Sequence, residues 1–245
     1  MTDPDILKPI KITTSVCAKD HLNETLLRLR LNIPDQAYPY FAGQRLKLYN
    51  ATGIGRDYCL SSVPGLDNFL ELHISLTPNG ALMPWIFEEL EVGAQVQIGP
   101  ASSDFHCTAS HQKPILLIGT GIALAPLYGI LREALIKNQH KADIRLFHET
   151  HNKDEYYIIQ DLILLQTEYS NFSYKHFVSG SQPNSVDTNL IHTSEMAFGD
   201  LTDLRDWEIF LCGDQNMIER VKHDALELNA NANFILEEPF KMPNW

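Results

Sequence analysis

The segment best suited to chemistry is Gly119-Thr120-Gly121-Ile122-Ala123-Leu124-Ala125-Pro126. It follows an apolar run and opens a stretch of helical period. A glycine turn in that context presents backbone N–H groups to a phosphate. Glycine turns also join strands to helices in many folds that bind nothing, so the segment counts only in company. Three other segments supply it. Arg56-Asp57-Tyr58-Cys59-Leu60-Ser61-Ser62 sets a guanidinium able to neutralise a phosphate beside an aromatic able to stack on a flat ring. Val92-Gly93 and Gly99-Pro100 bracket an alternating run. Phe210-Leu211-Cys212-Gly213-Asp214-Gln215-Asn216-Met217 places Cys212 and Gly213 at the end of a buried run, and ligands of open α/β sheets bind at such strand ends.

The elements that must position these residues differ in rhythm between the two halves. Leu27, Leu29, Leu31 and Ile33 alternate with polar residues, and the same period of two recurs at Leu46/Leu48, Leu70/Leu72/Ile74/Leu76 and Val96/Ile98. Short alternating runs broken by Pro, Gly and Asn predict an antiparallel β-barrel over residues 8–108, with one short helix at Ala81–Leu90. From Lys113 the apolar runs Ile115–Ile118, Ile144–Phe147, Phe172–Val178 and Ile209–Cys212 alternate with three helical stripes, and Phe234–Leu236 reads as a closing strand. The stripes are Leu127/Ile130/Leu131/Ala134/Leu135, Ile158/Leu162/Leu165 and Met217/Ile218/Val221/Ala225/Leu228. That alternation predicts an α/β domain with a parallel sheet over residues 113–240. Asp214 or Asn216 is placed to cap the last helix.

Composition narrows the functional classes. The 245 residues carry 19 Lys+Arg against 31 Asp+Glu, a formal net charge of −12, with no basic cluster. Nucleic acid and polybasic membrane-surface sites are thereby disfavoured. The uncharged run Pro114–Leu131 approaches the length of a membrane span, but Gly119, Gly121, Gly129 and Pro126 suit a strand, a turn and a helix better. The opening MTDPDILKPIKI has two acids and two prolines and does not read as a signal peptide. Cys17, Cys59, Cys107 and Cys212 lie far apart without metal or cluster spacing, which points to a reducing cytoplasm. His106, Cys107 and His111 are thin support for a metal, and His148-Glu149-Thr150-His151 is one residue short of a zinc-protease pair, so no metal is expected. Tyr156–Tyr157 reads as packing.

Taken in order, Arg56-x-Tyr58-Cys59, Gly121-x-Ala123-Leu124-Ala125-Pro126 and Cys212-Gly213-x-x-x-Met217 resemble the motifs of the ferredoxin-NADP(H) reductase superfamily. Phe41-x-Gly43-Gln44 resembles that family's turn before the flavin strand. The resemblance spans about Lys8 to Phe240. It implies a Greek-key FAD-binding barrel, a nucleotide domain, and an FAD-dependent oxidoreductase carrying hydride from NADH or NADPH to FAD. On the flavin side it places Arg56 at the pyrophosphate, Tyr58 on the isoalloxazine, and Cys59 near flavin N5. Asp57, Leu60, Ser61 and Ser62 continue along the cofactor. His73 and Ile74 offer backbone groups to the phosphates, with Gly80, Ala81 and Met83 beside them. On the nucleotide side it places Gly119, Thr120, Gly121, Ile122 and Ala123 under the dinucleotide. Cys212, Gly213, Asp214 and Met217 fall at the nicotinamide pocket. Cys59 and Cys212 thus flank the reacting atoms as the catalytic pair. Trp245 falls over the flavin, against the plainer reading of a frayed end, and Cys212 has its own plainer reading as a small core residue.

Four departures from the family pattern carry consequences. Cys59 stands where Ser is usual, Met83 where Ser or Thr is common, Ile122 where Thr is common, and Ala123 where a second glycine is usual. The methyl added at Ala123 is expected to block close approach of a pyrophosphate. Together with Ile122, that supports an alternative: an FAD-binding electron-transfer or regulatory subunit with a degenerate nucleotide site and no reductase activity. A reductase that uses flavin as a substrate is a third reading. Ser179-Gly180-Ser181-Gln182-Pro183-Asn184 has no arginine and His148–Lys153 only one lysine, so NADH is expected over NADPH. With no cluster-binding cysteines, electrons leave to a separate acceptor: a small redox protein, flavin, quinone or other small molecule. The net charge disfavours an acidic ferredoxin.

Overall fold

The period-two segments pair into one antiparallel sheet. A computed structural model describes residues 10–35, 38–77, 80–107, 112–151, 156–178 and 193–240. Trp245, the 179–184 segment, Lys153 and His111 lie outside the described residues. The strands are β1 (Ile12–His21), β2 (Leu26–Asn32), β3 (Arg45–Tyr49), β4 (Gly55–Cys59), β5 (Phe69–Ser75) and β6 (Gln95–Ile98), in the order β4-β3-β6-β1-β2-β5. Leu27, Leu29, Leu31, Leu46, Leu48, Leu70, Leu72, Ile74, Val96 and Ile98 meet in one core, as their alternation requires. The barrel is not fully closed. Its edge strands meet through a bridge of Leu60 to Leu72, with Ser61 N–H donating to Glu71 O at 3.0 Å. Pro64 follows at once and has no N–H to extend the pairing. The short helix is Trp85–Glu89, and Lys19 Nζ donates to the carbonyls of Phe87 and Leu90 at its end. β1, polar and without alternation, sits between β2 and β6, a placement that periodicity does not reveal.

The second half forms a parallel five-stranded sheet of β7 (Ile115–Thr120), β8 (Ile144–Thr150), β9 (Phe172–Val178), β10 (Glu208–Gly213) and β11 (Ile235–Pro239), ordered β11-β10-β7-β8-β9. Helices α1 (Leu124–Arg132, continued by a wide turn to Lys137), α2 (Ile159–Glu168), α3 (Thr193–Phe198) and α4 (Gln215–Glu227) pack around it. β7 is buried on both faces: Ile115 and Leu117 join the α1 side, Leu116 and Ile118 the α4 side. A strand buried twice reads as an unbroken apolar run, which explains the uncharged stretch 114–131 without a membrane. No helix among the described residues is long and apolar enough to cross one. Asp214 caps α4, its Oδ1 accepting from Met217 N–H at 3.0 Å.

The two sheets meet tightly. Gly129 of α1 packs so close to the barrel that a Cβ there would lie 3.0 Å from Ser61 O. Arg132 at the end of α1 donates to both oxygens of Asp67, at 2.9 and 2.8 Å. Between these contacts the ends of β7 and β10, where the strand order reverses, face the β4 edge of the barrel.

Candidate functional site

On the barrel side the site is an edge strand. Alternation along β4 turns Arg56 and Tyr58 to one face and Asp57 and Cys59 to the other. The Arg56 guanidinium lies 6.0 Å from the Tyr58 ring centre and beside Gly80, where a Cβ would come within 3.4 Å of Nη1. No ion pair to Arg56 is found among the described residues, so its charge is available to an anion. Tyr58 is buried, its phenol pushed up to about 12 first by burial, and its Oη has no hydrogen-bond partner among the described residues. Burial without a partner is costly, and a ligand acceptor there would remove that cost.

Several expected residues do not face the cleft. Asp57 is exposed, 3.8 Å from Lys47 Nζ. Leu60 and Ile74 are core residues. In an antiparallel ladder the backbone of Glu71 and His73 points toward the β4 edge, so that of Ile74 is turned to Leu27 of β2. Met83 packs into the barrel core against Gly80 rather than toward a phosphate, which explains why an apolar residue is tolerated there. Ser61 and Ser62 are buried and bind Glu71 instead of lining an open surface.

On the nucleotide side the site is mostly backbone. One tight turn, Gly121–Ala123, leads from β7 into α1, and the first N–H groups of such a helix have no partner within it. The Ala123 methyl does not stand on the phosphate side. It is fully buried in the α1 core, and a Cβ built on Gly119 would lie 3.0 Å from it. Gly119 thus leaves the space that Ala123 fills. Gly213, at φ +155°, closes the other strand end, where a Cβ would fall 2.5 Å from both Thr120 Oγ1 and Met217 Cε. Thr120 Oγ1 itself is buried without a partner among the described residues.

Cys59 and Cys212 approach from opposite sides. Cys59 is paired with Arg45 across β3–β4, Cys212 lies beside Glu238 across β10–β11, and Arg45 Nη1 donates to Glu238 Oε1 at 2.8 Å. Ser103 Oγ donates to Glu238 Oε2 at 2.7 Å. Burial raises both thiols, and for Cys212 the proximity of Cys59 and Glu238 raises it further. Neither thiol ionises near neutral pH. The pair expected to be catalytic therefore stands as two protonated, neutral thiols. All four cysteines are free, and the described residues hold no cluster of three metal-ligating side chains.

Residues 117–223 match the family model described as the oxidoreductase NAD-binding domain. A ferredoxin–NAD(P)(+) reductase component of naphthalene 1,2-dioxygenase/salicylate 5-hydroxylase systems from Ralstonia sp. is 26% identical over 89% of this chain and 66% of its own length. The reductase subunit of an Amycolatopsis aromatic O-demethylase is 30% identical over 73% and 54%. A crystal structure of an Amycolatopsis cytochrome P450 reductase superposes with a TM-score of 0.83 at 25% identity, covering 94% of this chain and 70% of that one. The chain carries an oxidoreductase NAD-binding domain and is similar over most of its length to ferredoxin-NADP(H) reductase-like FAD/NAD-binding oxidoreductases. It spans between 54% and 66% of the length of these two curated relatives. A ferredoxin-NADP+ reductase from Plasmodium falciparum shares the fold of this reductase-like chain at a TM-score of 0.80 and 16% identity, with 94% and 96% coverage.

Motif reading of this reductase-like chain misses the residues that hold its two halves in place. Glu238 and Arg45 carry no motif. Glu71 lies buried among Arg30 Nε at 2.6 Å, Ser61 Oγ at 3.0 Å and His73 Nε2 at 3.1 Å. Burial opposes its charge, but the His73 and Arg30 partners outweigh it and hold the carboxyl down at about 2. His73 meets the ring of Tyr157 edge-on at 5.3 Å, so Tyr157 bridges the barrel to the nucleotide side. A buried Glu and His two apart on an apolar strand was the available signal.

Proposed function

We propose that this chain takes hydride from a reduced nicotinamide dinucleotide onto FAD held against the barrel, and passes the electrons to a separate acceptor. The observation that carries this reading is the Arg45–Glu238 tie, which sets the strand of Arg56, Tyr58 and Cys59 against the strand ends of Cys212 and Gly213. Arg56 supplies a charge without an ion pair among the described residues, and the turn 121–123 supplies the first N–H groups of a helix. FAD would supply a centre that accepts hydride and releases electrons onward. Arg56 and the Gly80 turn would hold its phosphates and Tyr58 its ring. Thr120 and the turn 121–123 would hold the dinucleotide phosphates, with Gly213 leaving room for the nicotinamide. Arg45 and Glu238 fix the separation of the two walls, which is what near-contact transfer demands.

The inward methyl of Ala123 supports a working nucleotide site over a degenerate one. NADH is the expected donor, because the sequence after β9 offers no arginine to a 2′-phosphate. The relatives' description as reductase components of oxygenase systems favours a protein acceptor over a free quinone or flavin. Anaerobic titration of the FAD-supplemented protein with NADH, then NADPH, tests this. Bleaching of the flavin absorbance by NADH at lower concentration is expected; bound flavin that stays oxidised with both would refute the reading.

A further inference from the structure

His148 has no part in the motifs, and as half of a zinc pair it leads nowhere. In the fold it lies at the carboxyl end of β8, in register with Gly119 of β7 and His176 of β9, and is almost fully buried. Its Nε2 lies 2.8 Å from the carbonyl oxygen of Gly121, the first residue of the phosphate-side turn. A carbonyl only accepts, so Nε2 carries the proton. Burial keeps the ring neutral, with its ordinary value lowered to about 4. The donor is therefore present throughout the neutral range without a charge that would compete for a phosphate.

We infer that His148 is a positioning residue for the dinucleotide: its ring N–H ties the Gly121 carbonyl down against β8 and so keeps the N–H groups at the start of α1 turned toward the cleft. A peptide plane carries its C=O and the next N–H in opposite directions, so anchoring the Gly121 oxygen orients the Ile122 N–H away from β8. The same oxygen accepts from Leu124 N–H, which alone leaves the turn tied only to its own helix. The imidazole is held in turn from the sides. Tyr157 stands edge-on to it at 6.5 Å between ring centres, His176 lies at 5.4 Å, and Thr150 Oγ1 lies 3.0 Å from His176 Nε2. Through Tyr157 and His73 the anchor is continuous with the barrel.

This inference rests on the dinucleotide reading above, and the test separates the two. Binding of ADP-ribose to the apoprotein is measured by calorimetry for the natural chain, His148→Phe and His148→Gln, alongside NADH saturation of the FAD-loaded forms. The phenyl ring fills the same space without a donor; the glutamine amide restores one. His148→Phe should weaken ADP-ribose about tenfold and raise the KM for NADH equally, with the limiting rate unchanged, while His148→Gln stays within about twofold of the natural chain. If the phenyl variant does not fold, His148→Met takes its place. Equal binding by all forms, or glutamine as weak as phenylalanine, would overturn the positioning role. No ADP-ribose binding by the natural chain would instead refute the dinucleotide reading on which it stands.

Discussion

The two walls of the cleft are built on opposite plans. The barrel wall offers side chains from one edge strand, Arg56 and Tyr58 of β4, and its unexpected residues are absorbed locally, as Met83 is by the core beside Gly80. The parallel-sheet wall offers backbone, and its unexpected residue is absorbed at a distance, as Ala123 is by the absence of a side chain at Gly119. A site made of side chains fails when its residues change. A site made of backbone fails when the residues behind it change. The vulnerable positions of the second wall are Gly119 and His148, which stand behind the turn, and Gly213, where any side chain would collide with Thr120 and Met217.

The sharpest way to break this contrast is to remove the barrel wall's charge. Arg56→Ala should weaken FAD about 30- to 160-fold, because a charge-assisted bond to phosphate contributes roughly 2–3 kcal/mol. ADP-ribose binding should not move; equilibrium titration of each ligand checks both. Cutting a tie between the walls comes next. Asp67→Ala leaves the half-buried Arg132 guanidinium without its bidentate partner. It should cost about 2–3 kcal/mol, read as a fall of several degrees in melting temperature.

A pH test separates the halves further. Burial raises Glu208, at the start of β10, to about 7, and its Oε2 has no partner among the described residues. The folded chain therefore holds a proton there that the unfolded chain loses above its ordinary range. Stability from this group falls as pH rises from about 4.5 through 7. Glu208→Gln should raise the melting temperature by about 3–5 °C at pH 8 and by little at pH 4.5. Glu71 of the barrel side runs the other way. Held at about 2, it contributes stability above 4.5 that is lost as pH falls toward 2, so acid scans of Glu71→Gln should be flatter there. The smallest effect belongs to Ala123→Gly. It should cost about 1 kcal/mol by emptying space beside Gly119 and leave the KM for NADH unchanged, whereas a large gain in NADH oxidation would revive the degenerate-site reading.

Much of the fold was legible because its cores follow the two elementary periods. The barrel strands with strict alternation and all five parallel strands lie close to where their apolar patterns put them. β1 was invisible because Thr13, Thr14, Ser15 and Lys19 break that alternation, and its place is set by pairing with two neighbours rather than by burial of one face. At the site, Arg56 and Tyr58 share one face of β4, and Thr120, Cys212 and Gly213 stand at the ends of β7 and β10. Asp57, Leu60 and Ile74 do not face the cleft, because strand alternation and edge pairing decide where a residue points. Glu238 and Arg45 carry no motif and His148 stands out only as half of a failed zinc pair, since each acts on a partner 27 or more residues away in the chain, a separation that no local pattern records.

The central claim is that the two walls hold their ligands face to face, so that hydride passes directly between them. Anaerobic mixing of the FAD-loaded protein with NADH deuterated on one or the other face of C4 measures this. On the proposed reading one label should slow flavin bleaching by a primary isotope effect and the other should not, because a nicotinamide held between walls of fixed separation would present one face of C4. Bleaching that is insensitive to both labels and too slow for turnover, or no bleaching at all, would contradict the account.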